Sequence, residues 1–202
     1  MRIGILGGSF NPPHVGHLVM AQEAHAQLGL EKVMLMPVSV PPHKVLDDDP
    51  GPQERLELCR LAVAEDERFG VSAIELDRGG PSYTVDTLRE IRADSPGDEL
   101  TFIVGGDNAL SLAGWREPEA VLELAVMAVA EREGVFRQDI AERARELSGG
   151  DRLAFFDMPR LDVSSSTIRQ RVRDGRPIRY LVPDDVARLI GARGYYRCGE
   201  TP

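Results

Sequence analysis

Short apolar runs of strand length alternate along the chain with stretches whose apolar residues recur at helical spacing. Residues 1–6 (M-R-I-G-I-L) and 32–38 (K-V-M-L-M-P-V) read as buried strands. Residues 69–76, 99–105, the apolar end of 122–130, and 153–158 read the same way. Between them, Leu18, Met20, Ala21, Ala24 and Leu28 mark a helix that Gly29 stops. Residues 54–64 form an amphipathic helix with Leu56, Leu61 and Val63 among its apolar residues. A helix through Leu88 and Ile91 is expected to take its N-terminal cap from the Thr84/Thr87 region. A charged surface helix follows at 138–148, and two more close the chain, one ending at Gly175 and one over 184–193.

A chain of 202 residues with 42% hydrophobic and 28% charged positions is one α/β domain with a proper core. The net charge of −9 argues against non-specific nucleic-acid binding, so a polyanionic small substrate would need a local basic cluster. Cys59 and Cys198 stand far apart in no metal-ligand spacing and read as reduced thiols of a cytoplasmic protein. The first strand leaves no room for a signal peptide, and no apolar run is long enough to span a membrane.

The chemistry centres on Gly7-Gly8-Ser9-Phe10-Asn11-Pro12-Pro13-His14-Val15-Gly16-His17-Leu18, a strand-to-helix turn. Its glycines allow close backbone approach, and a helix start offers unpaired N–H groups and a positive dipole end. His14 and His17, three residues apart, would share the first turn of that helix. The dinucleotide fingerprint G-x-G-x-x-G and the loop G-x-x-x-x-G-K-[ST] are both absent. A second anion site is expected at Asp162-Val163-Ser164-Ser165-Ser166-Thr167-Ile168-Arg169, where hydroxyls open a helix and an arginine follows one turn in. Taken alone, that segment is equally an ordinary serine cap. Asp107, after Gly105-Gly106, either accepts from a ribose hydroxyl or caps the following short helix.

G-S-F-N-P-P-H-V-G-H resembles the G-[ST]-F-[DN]-P-x-H-x-G-H signature of the nucleotidyltransferase superfamily, in which the histidines bind the phosphates of a nucleoside triphosphate. Asn11 stands where Asp is common, and Asn serves if the position braces the turn. The serine segment is similar to the superfamily's I-S-S-T-x-I-R motif, with Ser166 where Thr is usual and Arg169 as its arginine. Three further segments resemble bacterial nicotinate mononucleotide adenylyltransferases: Pro41-Pro42-His43-Lys44 in the loop over residues 39–52, Pro81-Ser82-Tyr83-Thr84, and the loop Trp115. Arg132 sits where that family shows Arg-Pro-Gly, with Glu133 replacing the proline.

The resemblance implies a Rossmann-like, doubly wound parallel α/β sheet over residues 1–202, with a small C-terminal helical part from about residue 164. It implies adenylyl transfer from ATP, with Mg²⁺, to nicotinate mononucleotide. No protein ligand to the metal is expected. His14, His17, Lys44 and Arg169 would act on the phosphates. ATP would also meet Gly7, Gly8, Ser9, Phe10, Gly16, Gly105, Asp107 and Ser164 to Ser166. The pyridine nucleotide would meet Asn11, Lys44, Ser82, Tyr83, Thr84, Trp115 and Arg132, with the backbone around Tyr83 and Thr84 receiving its carboxylate and Trp115 stacked on its ring. Neither nucleic acid nor membrane is an expected partner, and a homo-oligomer is compatible with the sequence. The alternatives are another small-substrate adenylyltransferase of the superfamily, such as a phosphopantetheine adenylyltransferase, or a nucleotide-binding regulator with weakened catalysis.

Overall fold

The continuous apolar runs of the sequence become strands covered on both faces, as parallel strands require. A computed structural model describes residues 1–43, 45–131 and 137–197. Its strands are β1 (Arg2–Gly8), β2 (Lys32–Pro37), β3 (Phe69–Val71), β4 (Glu99–Gly105), β5 (Val126–Glu131) and β6 (Leu153–Asp157). They form a parallel sheet in the order β3-β2-β1-β4-β5-β6. The chain thus builds outward from β1, returns to pair β4 beside it, and builds outward again. The reversal between β1 and β4 opens a crevice at the carboxyl ends of those strands, where ligands bind in such sheets.

Helices cover both faces: α1 (Val15–Leu28), α2 (Pro52–Val63), α3 (Ile74–Arg78), α4 (Thr84–Asp94), α5 (Gly106–Leu110), α6 (Pro118–Leu124), α7 (Arg137–Ala144), α8 (Ser165–Arg173) and α9 (Asp184–Arg193). The side-chain period of two sends neighbouring strand residues to opposite layers. Leu6 and Ile103 join Ala21, Ala24 and Cys59 on one side, while Ile5, Phe102 and Val104 join Leu88 and Val121 on the other. A third cluster, with Leu58 of α2, Ile168 of α8, and Val186 and Ile190 of α9, holds the C-terminal helices against α2. Among the described residues no helix is long and apolar enough to cross a membrane.

Two expectations are corrected. The strand expected over 69–76 ends at Val71. Ser72 N–H still reaches Leu35 O at 3.0 Å, and the chain then turns at Ala73 into the short α3. Ile74 is apolar because it packs on the core beneath α4, not because the ladder continues. The cap expected from Thr84 and Thr87 is also absent. The N-cap of α4 is Tyr83, without a side-chain cap, and the Thr87 hydroxyl points inward to Glu75 Oε1 at 2.7 Å.

Candidate active site

Two cavities of about 500 Å³ each flank the crevice and share Gly7, Gly8 and Ser9 at the end of β1. Each is large enough for a nucleotide-sized group. The first cavity lies between the starts of α1 and α8. His14 is the N-cap of α1 and His17 its third residue. His17 Nδ1 accepts the His14 backbone N–H at 3.2 Å, so the neutral ring carries its proton on Nε2. The imidazoles stack with centroids 3.7 Å apart, and the Phe10 ring meets His17 edge-on at 4.9 Å.

Gly16 makes that stack fit. A Cβ there would come within 3.1 Å of the His14 ring and of Val163. Phe10 is buried at φ 47°, a conformation that costs a bulky residue about 1–3 kcal/mol and persists only where surrounding packing holds it.

The start of α8 is tied to this turn through backbone acceptors. Ser165 Oγ donates to Pro12 O at 2.8 Å, and Arg169 Nη1 donates to Asn11 O at 2.9 Å. Ser164 is the serine cap that its sequence allowed, accepting the Thr167 N–H at 3.1 Å. Arg169 is buried, with Nη2 on Ser166 Oγ at 3.4 Å and Nε 3.7 Å from the Asp48 carboxylate, which also pairs Arg173. Two helix starts, two imidazoles and a guanidinium thus converge on one cavity. That set of donors suits a polyphosphate.

Gly105 and Asp107 line the opposite wall; Asp107 is exposed and caps nothing, since the N-cap of α5 is Gly105. Asn11 braces the turn: its Nδ2 donates to Asp47 O at 2.9 Å, which draws residues 45–47 over the cavity.

The second cavity lies between residues 38–43, the turn before α4, and Trp115. Ser82, Tyr83, Thr84 and Trp115 all line it. Trp115 stands edge-on to Phe102 at 6.0 Å, and its Nε1 donates to Ser111 Oγ at 3.2 Å, leaving a ring face for the cavity. The first N–H groups of α4 have no acceptor within the helix. Lys44 and Arg132 lie outside the described residues.

Several residues of the site escaped the sequence reading. Arg55 of α2 has 0% exposure. It donates to Ser9 O at 2.9 Å, Val38 O at 2.8 Å, Ser39 O at 3.2 Å and Asp49 Oδ1 at 2.9 Å. It therefore clamps the shared edge of both cavities. Nothing in the spacing separates it from Arg60, which is exposed. Arg116 lies over the Tyr83 ring at 4.7 Å and lines the second cavity. Glu75 lines it too, and burial pushes its carboxyl pKa up, against the hydrogen bonds of Thr87 and Ser82. No signal marks Glu75, because it falls in a segment that reads as a strand.

Residues 5–171 match the cytidylyltransferase-like family model. A probable nicotinate-nucleotide adenylyltransferase of Rubrobacter xylanophilus is 40% identical, with 98% of this chain and 92% of the relative covered. Its counterpart in Thermus thermophilus is 43% identical, covering 98% of this chain and all of the relative. The chain belongs to the nicotinate-nucleotide adenylyltransferase family. The fold is also that of a Plasmodium falciparum nicotinic acid mononucleotide adenylyltransferase solved with NaAD, with TM-score 0.77 at 17% identity over 96% of this chain and 97% of that one.

Proposed function

We propose that the protein transfers the adenylyl group of ATP to nicotinate mononucleotide, giving deamido-NAD and pyrophosphate, a step of NAD biosynthesis. The observation that carries this reading is the pair of cavities meeting at Gly7–Gly8–Ser9: a polyphosphate site on one side, an aromatic and amide-lined site on the other. A phosphate oxygen of the mononucleotide would attack the α-phosphorus from that junction, and pyrophosphate would leave opposite the new bond.

No enzyme side chain becomes covalently attached to the adenylyl group. Catalysis is positioning and neutralisation of developing charge. His17 offers Nε2–H, His14 stacks behind it, and Arg169 faces the phosphates from α8. The family resemblance gives Lys44 a part in phosphate binding and Arg132 one in binding the pyridine nucleotide. The adenosine part would lie along Gly105 and Asp107, with Ser164 to Ser166 on the triphosphate. The pyridine carboxylate would take N–H groups at Tyr83 and Thr84, beside Ser82, with Trp115 on the ring.

Mg²⁺ would arrive on the triphosphate. Among the described residues no cluster of three or more His, Cys, Asp or Glu side chains is placed to hold a metal, and Mg²⁺ that keeps phosphate and water ligands needs none. The metal's part is to neutralise phosphate charge.

The test is pyrophosphate release from ATP and nicotinate mononucleotide by the purified protein with Mg²⁺. Release that requires both substrates is expected. ATP binding without release would instead point to the weakened regulator, and release from ATP with phosphopantetheine but not with nicotinate mononucleotide would point to the other branch of the superfamily.

A further inference from the structure

A backbone N–H donates to an amide oxygen as well as to a carboxylate oxygen, so it reads a ligand's charge only through the strength of that bond. A fixed positive charge reads it directly. Among the described residues lining the second cavity, Arg116 is the one side chain that carries such a charge, while Glu75 brings a buried carboxyl.

Arg116 is held against the first turn of α4 at two points. Its guanidinium carbon lies 4.7 Å from the centre of the Tyr83 ring, and Nη1 donates to Asp86 Oδ2 at 3.3 Å. Tyr83 is the N-cap of that helix and Asp86 its third residue, so the two contacts flank Thr84. The N–H groups of Asp86 and Thr87 are taken by Tyr83 O at 3.1 and 3.2 Å, whereas those of Tyr83 and Thr84 have no acceptor among the described residues. Positive charge and unpaired donors therefore sit on the same helix turn.

The neighbouring acids leave the guanidinium available. Arg89 grips Glu117 with both terminal nitrogens, at 3.1 and 2.6 Å, and Arg116 Nε stays 3.9 Å from that carboxylate. Arg116 Nη2 makes no hydrogen bond to a described residue. Glu117 stands at φ 49°, a left-handed conformation that persists where surrounding contacts hold it. Its pairing with Arg89 is such a contact, so the loop bearing Arg116 is fastened to α4 on both sides of the guanidinium.

We propose that Arg116 is a specificity-determining residue of the pyridine site: its guanidinium, fixed over Tyr83 by Asp86, supplies the positive charge that favours a pyridine carboxylate over a carboxamide. The inference rests on the nicotinate mononucleotide reading and deepens it. The substrate's phosphate is common to the acid and the amide, so a guanidinium serving only the phosphate would affect both alike. The Arg116 side chain is 51% exposed, which keeps its effect at the scale of an exposed ion pair and makes it sensitive to salt.

The experiment measures kcat/KM for nicotinate and nicotinamide mononucleotide, with ATP, in wild type, Arg116→Gln and Arg116→Lys at low and high salt. Arg116→Gln should lower the acid-to-amide ratio about fivefold, the upper end of what an exposed ion pair contributes. Arg116→Lys keeps the charge but not the planar guanidinium, so its ratio should stay within about twofold of wild type. Raising salt from about 0.05 M to 0.5 M should lower the ratio in wild type and Arg116→Lys more than in Arg116→Gln.

An unchanged ratio in folded Arg116→Gln overturns the proposal. So does an equal loss for both mononucleotides, which would assign the guanidinium to the shared phosphate or to support of Tyr83. A ratio in Arg116→Lys as low as in Arg116→Gln, or one salt response common to all three proteins, overturns it too, because charge would then not be what selects. Wild-type protein that releases no pyrophosphate from ATP and nicotinate mononucleotide removes the functional reading together with the proposal. Wild-type turnover with a ratio indifferent to Arg116 removes the proposal alone.

Discussion

The two cavities share Gly7, Gly8 and Ser9 at the end of β1, with Val104 and Asn108, but are made in different ways. The polyphosphate side is built from chain starts: the N-cap of α1, the N-cap of α8 and the backbone of the intervening turns, with side chains anchored on carbonyls of Asn11 and Pro12. The pyridine side is built from side chains of separate segments, with Glu75, Ser82, Thr87, Trp115 and Arg116 meeting around the start of α4. Backbone donors at a helix start cannot be retuned without losing the helix, which suits a phosphate chain common to many reactions. Side chains around a flat pocket are replaceable, which suits the part of the site that chooses the acceptor.

The largest effect should come from breaking what the two sides share. Arg55→Ala leaves Asp49 and three carbonyls without the buried guanidinium. Removing one partner of a buried pair costs about 3–5 kcal/mol. For a domain of this size that corresponds to a Tm lower by roughly 10 °C. A differential scan showing less than a couple of degrees would mean the clamp carries little.

Next comes the polyphosphate side alone. His17→Ala should fold normally and lose about 10²- to 10³-fold in kcat, the usual cost of one pre-organised stabiliser of transition-state charge. Steady-state rates near wild type in the folded variant would end its catalytic assignment. On the pyridine side, Trp115→Ala removes stacking worth about 1–3 kcal/mol per ring. The KM for both pyridine mononucleotides should rise about tenfold, with the choice between them mostly kept. A variant that loses the choice instead would place Trp115 in selection.

How much of this was legible in the sequence follows the same division. The turn at Gly7–His17 and the serine segment are contiguous, so spacing alone displays their chemistry, and both lie on the first cavity. Ser82, Tyr83, Thr84 and Trp115 were legible only through resemblance, because an isolated hydroxyl or indole has a structural use as good as its functional one. Glu75, Arg55 and Arg116 were not legible. Their partners lie 12, 46 and 30 residues away in Thr87, Ser9 and Asp86, and a local pattern holds no record of such pairings. The misread strand at 69–76 has the same origin, since apolar Ile74 and Leu76 serve α3 and not the ladder.

The smallest effect is expected at Asn11. Asn11→Asp keeps the size but deletes the Nδ2 donor to Asp47 O, one hydrogen bond worth about 0.5–1.5 kcal/mol. Turnover should stay within about tenfold of wild type, measured as kcat/KM for ATP. A gain of a hundredfold would mean that the natural residue holds the enzyme back.

The most direct measurement is the ratio of kcat/KM for nicotinate over nicotinamide mononucleotide, taken with ATP in wild type and in His17→Ala. A hydrogen bond to a charged group contributes roughly 1.5–3 kcal/mol, so the acid should be favoured by at least about tenfold in wild type. His17→Ala should lower both rates by 10²- to 10³-fold and leave the ratio where it was, because selection and charge neutralisation occupy different cavities. Equal use of the two mononucleotides by the wild type, or a ratio that collapses with His17, would contradict that separation.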